Sequence, residues 1–255
     1  MIGLRAVDAP VTSLTHALGV VGEQGWFSER SAETRKHLAG IAKLRSFAKN
    51  DLVYLAGDPP NGMFGLVSGS LNISIPRADG EDYTAHRAAA GFWVGDLALF
   101  SQGPRLVSVR TAEPTVMAHL PAQELTELVA RHPHLYADFY ALTYENFRVA
   151  FQIISNLAIS SSDKRLADRL LLELDGRGDE YGWVSLSQSE LASLTAVSLP
   201  TLQRVLRCFT AAGLINQSYA RIQMLDHEAP LGEVRVATSQ APRVRRGPRP
   251  AGRPV

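Results

Sequence analysis

Val184 to Leu214 reads VSLSQSELASLTAVSLPTLQRVLRCFTAAGL, and its punctuation decides how the rest of the chain is understood. Ser187 is followed three residues later by Glu190, the spacing at which a cap and a carboxylate satisfy each other's backbone amides at a helix start. Leu191 and Leu194 then share a face, and Thr195-Ala196-Val197 interrupts the helix. Ser198 offers a second cap. Pro200 follows just inside the next helix, where its missing N–H costs little. Leu202, Val205, Leu206 and Phe209 recur at three and four residues, so this second helix buries one stripe. Its other face presents Thr201, Gln203, Arg204 and Arg207, groups suited to phosphates and base edges. Two capped helices alone also fit an ordinary helical hairpin, and their surroundings decide between the two.

The segment after the pair, Leu214-Ile215-Asn216-Gln217 and Arg221-Ile222-Gln223-Met224 around Ser218-Tyr219-Ala220, reads as a β wing. Before it, Lys164 to Gly176 forms a helix capped from the polar joint Ser160-Ser161-Ser162-Asp163, a candidate hinge. Residues 133–160 carry the longest helical pattern. Leu135, Phe139, Leu142, Asn146, Val149 and Ile153 step by four and three, the spacing of a coiled-coil seam in which a lone asparagine fixes register. Tyr136, Tyr140, Phe147, Phe151 and Ile154 form a second apolar stripe. One stripe packs on the neighbouring domain and the other on the same helix of a second subunit. We assign the first to the dimer interface; the alternative is a helix buried in a monomer.

Upstream, the runs LVYLA, MFGLV, SLNISIP, YTAHRAA, RLVSVRT and TVMAHL alternate with Gly, Pro and Asp clusters from Asp51 to Leu120, the texture of a β-roll. Pro121 opens a helix, and residues 29–44 read as another, with Leu38, Ile41 and Leu44 on one side. The expected fold is α+β: an arm over residues 1–25, a sensor roll over 26–131, a dimerisation helix over 132–160, a winged helix-turn-helix over 161–228, and an unstructured Arg/Pro-rich tail over 229–255.

Composition narrows the function. The chain has 255 residues, 45% of them hydrophobic, and a formal net charge of +1, so it builds sizeable cores without a global signal for a polyanion. Its single cysteine, Cys208, excludes a disulfide framework, cysteine-rich zinc sites and a four-cysteine iron–sulfur cluster. The N-terminus lacks the pattern of a secretion signal and no apolar run is long enough to span a bilayer, so we expect a cytoplasmic protein with no membrane partner. No strand carries clustered metal ligands, and His132-Pro133-His134 opens the long helix rather than lying in the roll. No nucleophile elbow or phosphate-binding glycine loop occurs either, so we expect no catalytic residues and no enzyme.

The order of these pieces resembles the Crp/Fnr family of bacterial transcription regulators over about residues 26–228. The resemblance rests on the rhythm Gly57-Asp58, Gly62, Gly65 and Gly69, and on Gly95-Asp96-Leu97-Ala98-Leu99-Phe100. It rests also on Asn156-Leu157-Ala158 and on Ser187 to Arg204. It implies a homodimer on two-fold symmetric double-stranded DNA, an effector sensed in the roll, and contact with RNA polymerase if the protein activates. Carried over, Ser198, Leu199, Pro200, Thr201 and Arg204 occupy the exposed start and middle of the recognition helix, and Ser187 and Gln188 meet the DNA backbone. Leu199 and Pro200 stand where readers of the best-known half-site resemble one another in having Arg and Glu. The guanidinium that reads guanine is absent there, leaving Thr201, Gln203 and Arg204 as the expected contacts.

In the roll, the resemblance places an effector against Gly95, Asp96, Leu97 and Arg105. Asp96 stands for the usual Glu, no hydroxyl follows Arg105, and Ala150 and Phe151 replace the adenine-binding hydroxyls. These departures point away from cyclic AMP; the alternative for Asp96 and Arg105 is a structural ion pair or solvated loop charges. Haem needs an axial ligand, for which His86 and His119 are the strand candidates, although lone strand histidines more often serve structure. The cofactor is therefore left unassigned. Residues 161–228 are formally −2, which weakens phosphate attraction unless charge is segregated by face. That acidity keeps a second function in play, a sensor acting through protein contacts without specific DNA binding. Six tail arginines, Arg235, Arg243, Arg245, Arg246, Arg249 and Arg253, stand against Glu233 alone and suggest an electrostatic grip on DNA.

Overall fold

The computed structural model describes residues 13–179 and 181–225. Residues 1–12 and the tail expected over 229–255 lie outside the described residues. Three short helices, α1 (Leu14–Val21), α2 (Gly25–Ser28) and α3 (Ala32–Ile41), precede the roll. Ser13 caps α1, which buries Ala17 and Val21, and α2 buries Trp26 and Phe27. All four side chains belong to the core beneath the roll. The expected arm is thus, from Leu14 onward, part of the sensor domain. The helix expected over 29–44 is also shorter. Ala42 is extended, and Lys43 and Leu44 open a strand that pairs with His119 and Ala118.

The roll comprises β1 (Lys43–Phe47), β2 (Leu52–Tyr54), β3 (Gly62–Ser68), β4 (Leu71–Pro76), β5 (Asp82–Ala88), β6 (Trp93–Val94), α4 (Asp96–Ser101), β7 (Ser108–Thr111) and β8 (Thr115–Pro121). Two four-stranded antiparallel sheets run β1-β8-β3-β6 and β2-β7-β4-β5. β8 is apolar nearly throughout because both its faces are covered. Met117 enters the roll interior with Phe64, Leu66 and Val109, while Ala118 and Leu120 face the helices on the opposite side. Gly65 permits a close approach: a Cβ there would sit 2.4 Å from Cε2 of Trp93, which stacks on Phe27 at 5.5 Å.

α5 (Ala122–Arg131) leads into α6 (Leu135–Ala158), the 24-residue helix that joins the two halves. Here the assignment of faces is corrected. Leu135, Phe139 and Leu142 are buried in this chain's own roll core. Asn146 donates to the Trp93 carbonyl at 3.3 Å and to Asp96 Oδ1 at 3.0 Å, so it fixes the helix on the roll rather than a partner's register. Val149 and Ile153 line a cleft of about 720 Å³ bounded by the roll, α6 and the following helix. The rotation is set by pins distant in sequence. Trp26 Nε1 donates to the Asp138 carbonyl at 2.7 Å, and the Asp138 carboxylate accepts from Arg30 at 3.1 Å and Thr34 at 2.8 Å. The other stripe, Tyr136, Tyr140, Phe147, Phe151 and Ile154, joined in the structure by Tyr144, is left 47–76% exposed.

The last domain holds α7 (Ser162–Arg177), β9 (Trp183–Ser185), α8 (Gln188–Thr195), α9 (Leu199–Ala211), β10 (Ile215–Ser218) and β11 (Arg221–Met224). The wing has a third strand absent from the sequence reading, since β9 pairs with β11. Leu166 and Leu170 of α7 join Leu191, Leu194, Leu202, Val205, Leu206 and Phe209 in one core closed by Ile215, Ile222 and Met224 of the wing. Each fully buried leucine removes apolar surface worth about 2 kcal/mol. The serine joint is braced: Arg165 Nε donates to the Ile159 carbonyl at 2.9 Å, and Asn156 Nδ2 donates to the Arg165 carbonyl at 3.0 Å and Asp168 at 2.7 Å.

Candidate nucleic-acid interface and sensor pocket

The reading unit follows from its caps. Ser187 N donates to Glu190 Oε2 at 2.8 Å and Glu190 N to Ser187 Oγ at 3.2 Å, a complete capping box. α8 ends at Ala196, left-handed at φ 51°, and Ser198 caps α9 by accepting from Thr201 N at 3.4 Å. With Leu202, Val205, Leu206 and Phe209 buried, α9 turns Leu199, Pro200, Gln203, Arg204 and Arg207 to solvent, while Ser198 is exposed and Thr201 half-buried. Ser187 and Gln188, at the start of α8, are half-buried and exposed. The structure therefore brings the nine sequence-selected residues onto two adjacent helix faces.

A polar relay joins those faces to the wing. Gln203 Nε2 donates to Gln188 Oε1 at 3.3 Å, Gln188 Nε2 to Gln217 Oε1 at 3.1 Å, and Gln217 Nε2 to Thr210 Oγ1 at 2.8 Å. Gln217 and Thr210 were not singled out from sequence; the β10 alternation, Ile215 inward and Asn216 outward, is too short to mark them. Charge is segregated. No acidic residue lies between Leu199 and Ala211, which carries Arg204 and Arg207. Asp163 pairs with Arg204 at 3.2 Å, Asp179 with Arg221 at 3.0 Å, and Glu173 is buried against Arg169 at 2.8 Å. Of the two α9 cations, Arg204 is thus partly met by Asp163 of α7, while Arg207 is exposed.

The sensor residues are committed internally. Arg105 is 3% exposed, and its Nη1 donates to the Gly95 carbonyl at 3.2 Å while Nη2 donates to Asn61 Oδ1 at 2.8 Å and the Gly62 carbonyl at 2.7 Å. Its guanidinium carbon lies 4.0 Å from the centre of the Tyr54 ring. Burial lowers its proton affinity and pushes the Tyr54 phenol up. Gly95, at φ 107°, is held to glycine because a Cβ would meet Arg105 Nη1 at 2.5 Å. Asp96 turns to α6, accepting from Thr143 Oγ1 at 2.5 Å and Asn146 Nδ2 at 3.0 Å. Burial raises its pKa, and those two hydrogen bonds oppose the shift. Asp96 and Arg105 do not form an ion pair: each side chain is buried with other partners. Leu97 is 38% exposed on α4.

The haem candidates are likewise engaged. His119 stacks on Phe64 at 4.5 Å and donates from Nε2 to the Asn61 carbonyl at 3.2 Å; burial lowers its pKa. The His86 ring packs against Phe92 at 5.5 Å. Among the described residues no group of three or more His, Cys, Asp or Glu side chains is placed to hold a metal ion. No described helix is long and apolar enough to cross a membrane.

Comparison with known proteins matches both halves. Residues 44–132 match the cyclic nucleotide-binding domain, and residues 164–229 the Crp-like helix-turn-helix domain. The chain belongs to the Crp/Fnr family of transcription regulators. A CRP-like cAMP-activated global transcriptional regulator of Mycobacterium tuberculosis is 22% identical over 187 residues, covering 71% of this chain and 84% of that protein. The transcriptional activator protein anr of Pseudomonas aeruginosa is 26% identical over 193 residues, covering 73% and 78%. Among solved structures, the c-di-GMP-responsive global regulator CLP of Xanthomonas campestris superposes with a TM-score of 0.62 at 22% identity, over 76% of this chain and 99% of that one. This Crp/Fnr regulator therefore carries a DNA-binding helix-turn-helix beside a cyclic-nucleotide-binding-type roll. In this structure the Arg105 guanidinium is engaged by two carbonyls, an amide and an aromatic ring, while its Nε is buried without a hydrogen-bond partner.

Proposed function

We propose that this Crp/Fnr regulator acts in the cytoplasm as a homodimer that reads two-fold symmetric DNA through α9, by binding and not by catalysis. The observation that carries the reading is the pairing of two open surfaces, the acid-free outer face of α9 and the exposed aromatic stripe of α6. Six large apolar side chains in one row form a patch that water solvates poorly, and a second copy of the same helix covers it with identical chemistry. Two copies of α9 across that axis give paired half-sites about one helical turn apart. Thr201, Gln203 and Arg204 make the base and phosphate contacts, with Ser187, Gln188 and Arg207 on the backbone. If the dimer activates, its further partner is RNA polymerase.

The roll, in this reading, does not take up cyclic AMP at Asp96 and Arg105. The relatives' printed names cite different signals, cAMP for one and c-di-GMP for another, so the family alone does not carry an effector to this chain. The test is sedimentation of the full chain with and without a duplex enriched from its own upstream DNA. A dimer that binds one duplex supports the proposal. A dimer that binds no duplex specifically favours the sensor acting through protein contacts, and a monomer contradicts the exposed α6 stripe as an interface.

A further inference from the structure

The DNA-binding domain does not hang freely from α6; one strand of the roll holds it. Tyr83, Ala85 and Arg87 are alternate residues of β5. Tyr83 Oη donates to the Leu194 carbonyl of α8 at 3.0 Å, and the Ala85 carbonyl accepts from Arg169 of α7 at 3.2 Å. Arg87 is the centre of this contact. Its Nε and Nη2 donate to Ser70 Oγ at 3.2 and 3.0 Å, which fixes the guanidinium plane on the roll, and Nη1 reaches Glu190 Oε1 at 2.5 Å. The side chain is 13% exposed, so solvent screens the pair only partly.

Glu190 divides its two oxygens between the domains. Oε1 meets Arg87, while Oε2 accepts from Ser187 N at 2.8 Å and Ser187 Oγ at 2.6 Å at the start of α8. A continuous path, Ser70–Arg87–Glu190–Ser187, therefore runs from the roll to the N-terminus of the first reading helix. The closure that caps α8 locally also anchors it to the sensor domain.

We propose that Arg87 is a positioning residue for DNA recognition, fixing the direction of the α8–α9 pair against the roll and hence the separation of two reading heads. This rests on the dimer reading above. Binding a full palindrome is a bivalent event whose strength depends on how well the two heads are held at the right span. A loosened head still reads one half-site; it loses the coincidence of two. Arg87 touches no surface assigned to DNA, so its removal leaves single-head affinity intact.

The experiment compares wild-type, Arg87→Gln, Glu190→Gln and Arg87→Lys full-length proteins on a full palindromic site, on one half-site, and on palindromes lengthened or shortened by one or two base pairs. Glutamine at 190 still completes a capping box, so α8 stays folded while the charge pair is lost. The expected result is an about tenfold loss of the preference for the full site over the half-site in both Gln variants, with half-site affinity itself unchanged in Arg87→Gln. Spacing discrimination flattens, and Arg87→Lys recovers part of the loss. The double Gln variant is no weaker than either single one, because both remove one interaction. Equal losses on full and half-sites, or no loss on either, overturn the positioning role. A wild-type protein with no preference for full over half-site overturns the dimer reading itself, a result distinct from a failure confined to Arg87.

Discussion

The sensor roll and the reading unit use the same side-chain types to opposite ends. In the roll, an arginine and an aspartate at motif positions are buried and hydrogen-bonded to this chain's own atoms, as Arg105 and Asp96 are, with only Arg105 Nε left unpaired on those two side chains. On α9, Gln203, Arg204 and Arg207 remain at the surface over a fully packed stripe. α6 contains the contrast in one element, with Phe139 at 2% exposure and Phe151 at 65%. A motif thus states which chemistry a position carries, and packing states whether that chemistry is available to a ligand.

The strongest way to break the contrast is along α6. Phe139→Ala should cost about 3–5 kcal/mol in urea unfolding, the range for emptying a buried aromatic site. Phe151→Glu should leave the monomer fold within about 0.5 kcal/mol of its original stability, as surface changes do, while moving the sedimenting species from dimer to monomer. A Phe151→Glu protein that stays dimeric would refute the face assignment.

Next comes Arg105. Arg105→Ala strips partners from two carbonyls and an amide in the roll, an expected loss of about 3 kcal/mol from charged hydrogen bonds and stranded acceptors. A loss below about 0.5 kcal/mol, ordinary for a surface site, would mean the guanidinium is not committed to the fold and is open to an anion. Arg207→Ala reverses the pattern: unchanged unfolding, but binding weaker by about 1 kcal/mol and a salt slope lower by about one unit, as for a lost phosphate contact.

Legibility from sequence divides along the same line. The α8–α9 pair was readable because caps, a turn and a 3.6-residue stripe are local signals, and Ser187, Glu190, Ser198 and Pro200 sit where those signals require. The two stripes of α6 are both apolar, and only Trp26, Arg30 and Thr34, over a hundred residues away, decide which turns inward. The expected helix runs into the first two residues of β1, Lys43 and Leu44, because Leu38, Ile41 and Leu44 keep helical spacing across a boundary set by pairing with β8. The fates of Asp96 and Arg105, and the bond between Arg87 and Glu190, depend on partners brought together only by folding.

The smallest expected effect is a pH dependence. Burial raises the folded-state pKa of Asp96, so its ionisation opposes folding. Its stabilising contribution is fully present below the ordinary carboxyl range and is lost as pH rises through the raised value. Asp96→Asn should therefore flatten the roll's thermal stability between mildly acidic and neutral pH, while the Thr143 hydroxyl keeps an acceptor. An unchanged pH profile in that variant would place the titration elsewhere.

The most direct measurement of the proposal, a DNA reader whose roll does not take up cyclic AMP at Asp96 and Arg105, is selection of bound duplexes from a random pool with and without cyclic AMP. The expected result is one palindromic enrichment, equal in both arms. A palindrome that emerges only with cyclic AMP would contradict the proposal for Asp96 and Arg105, and no enrichment in either arm would contradict the reading helix.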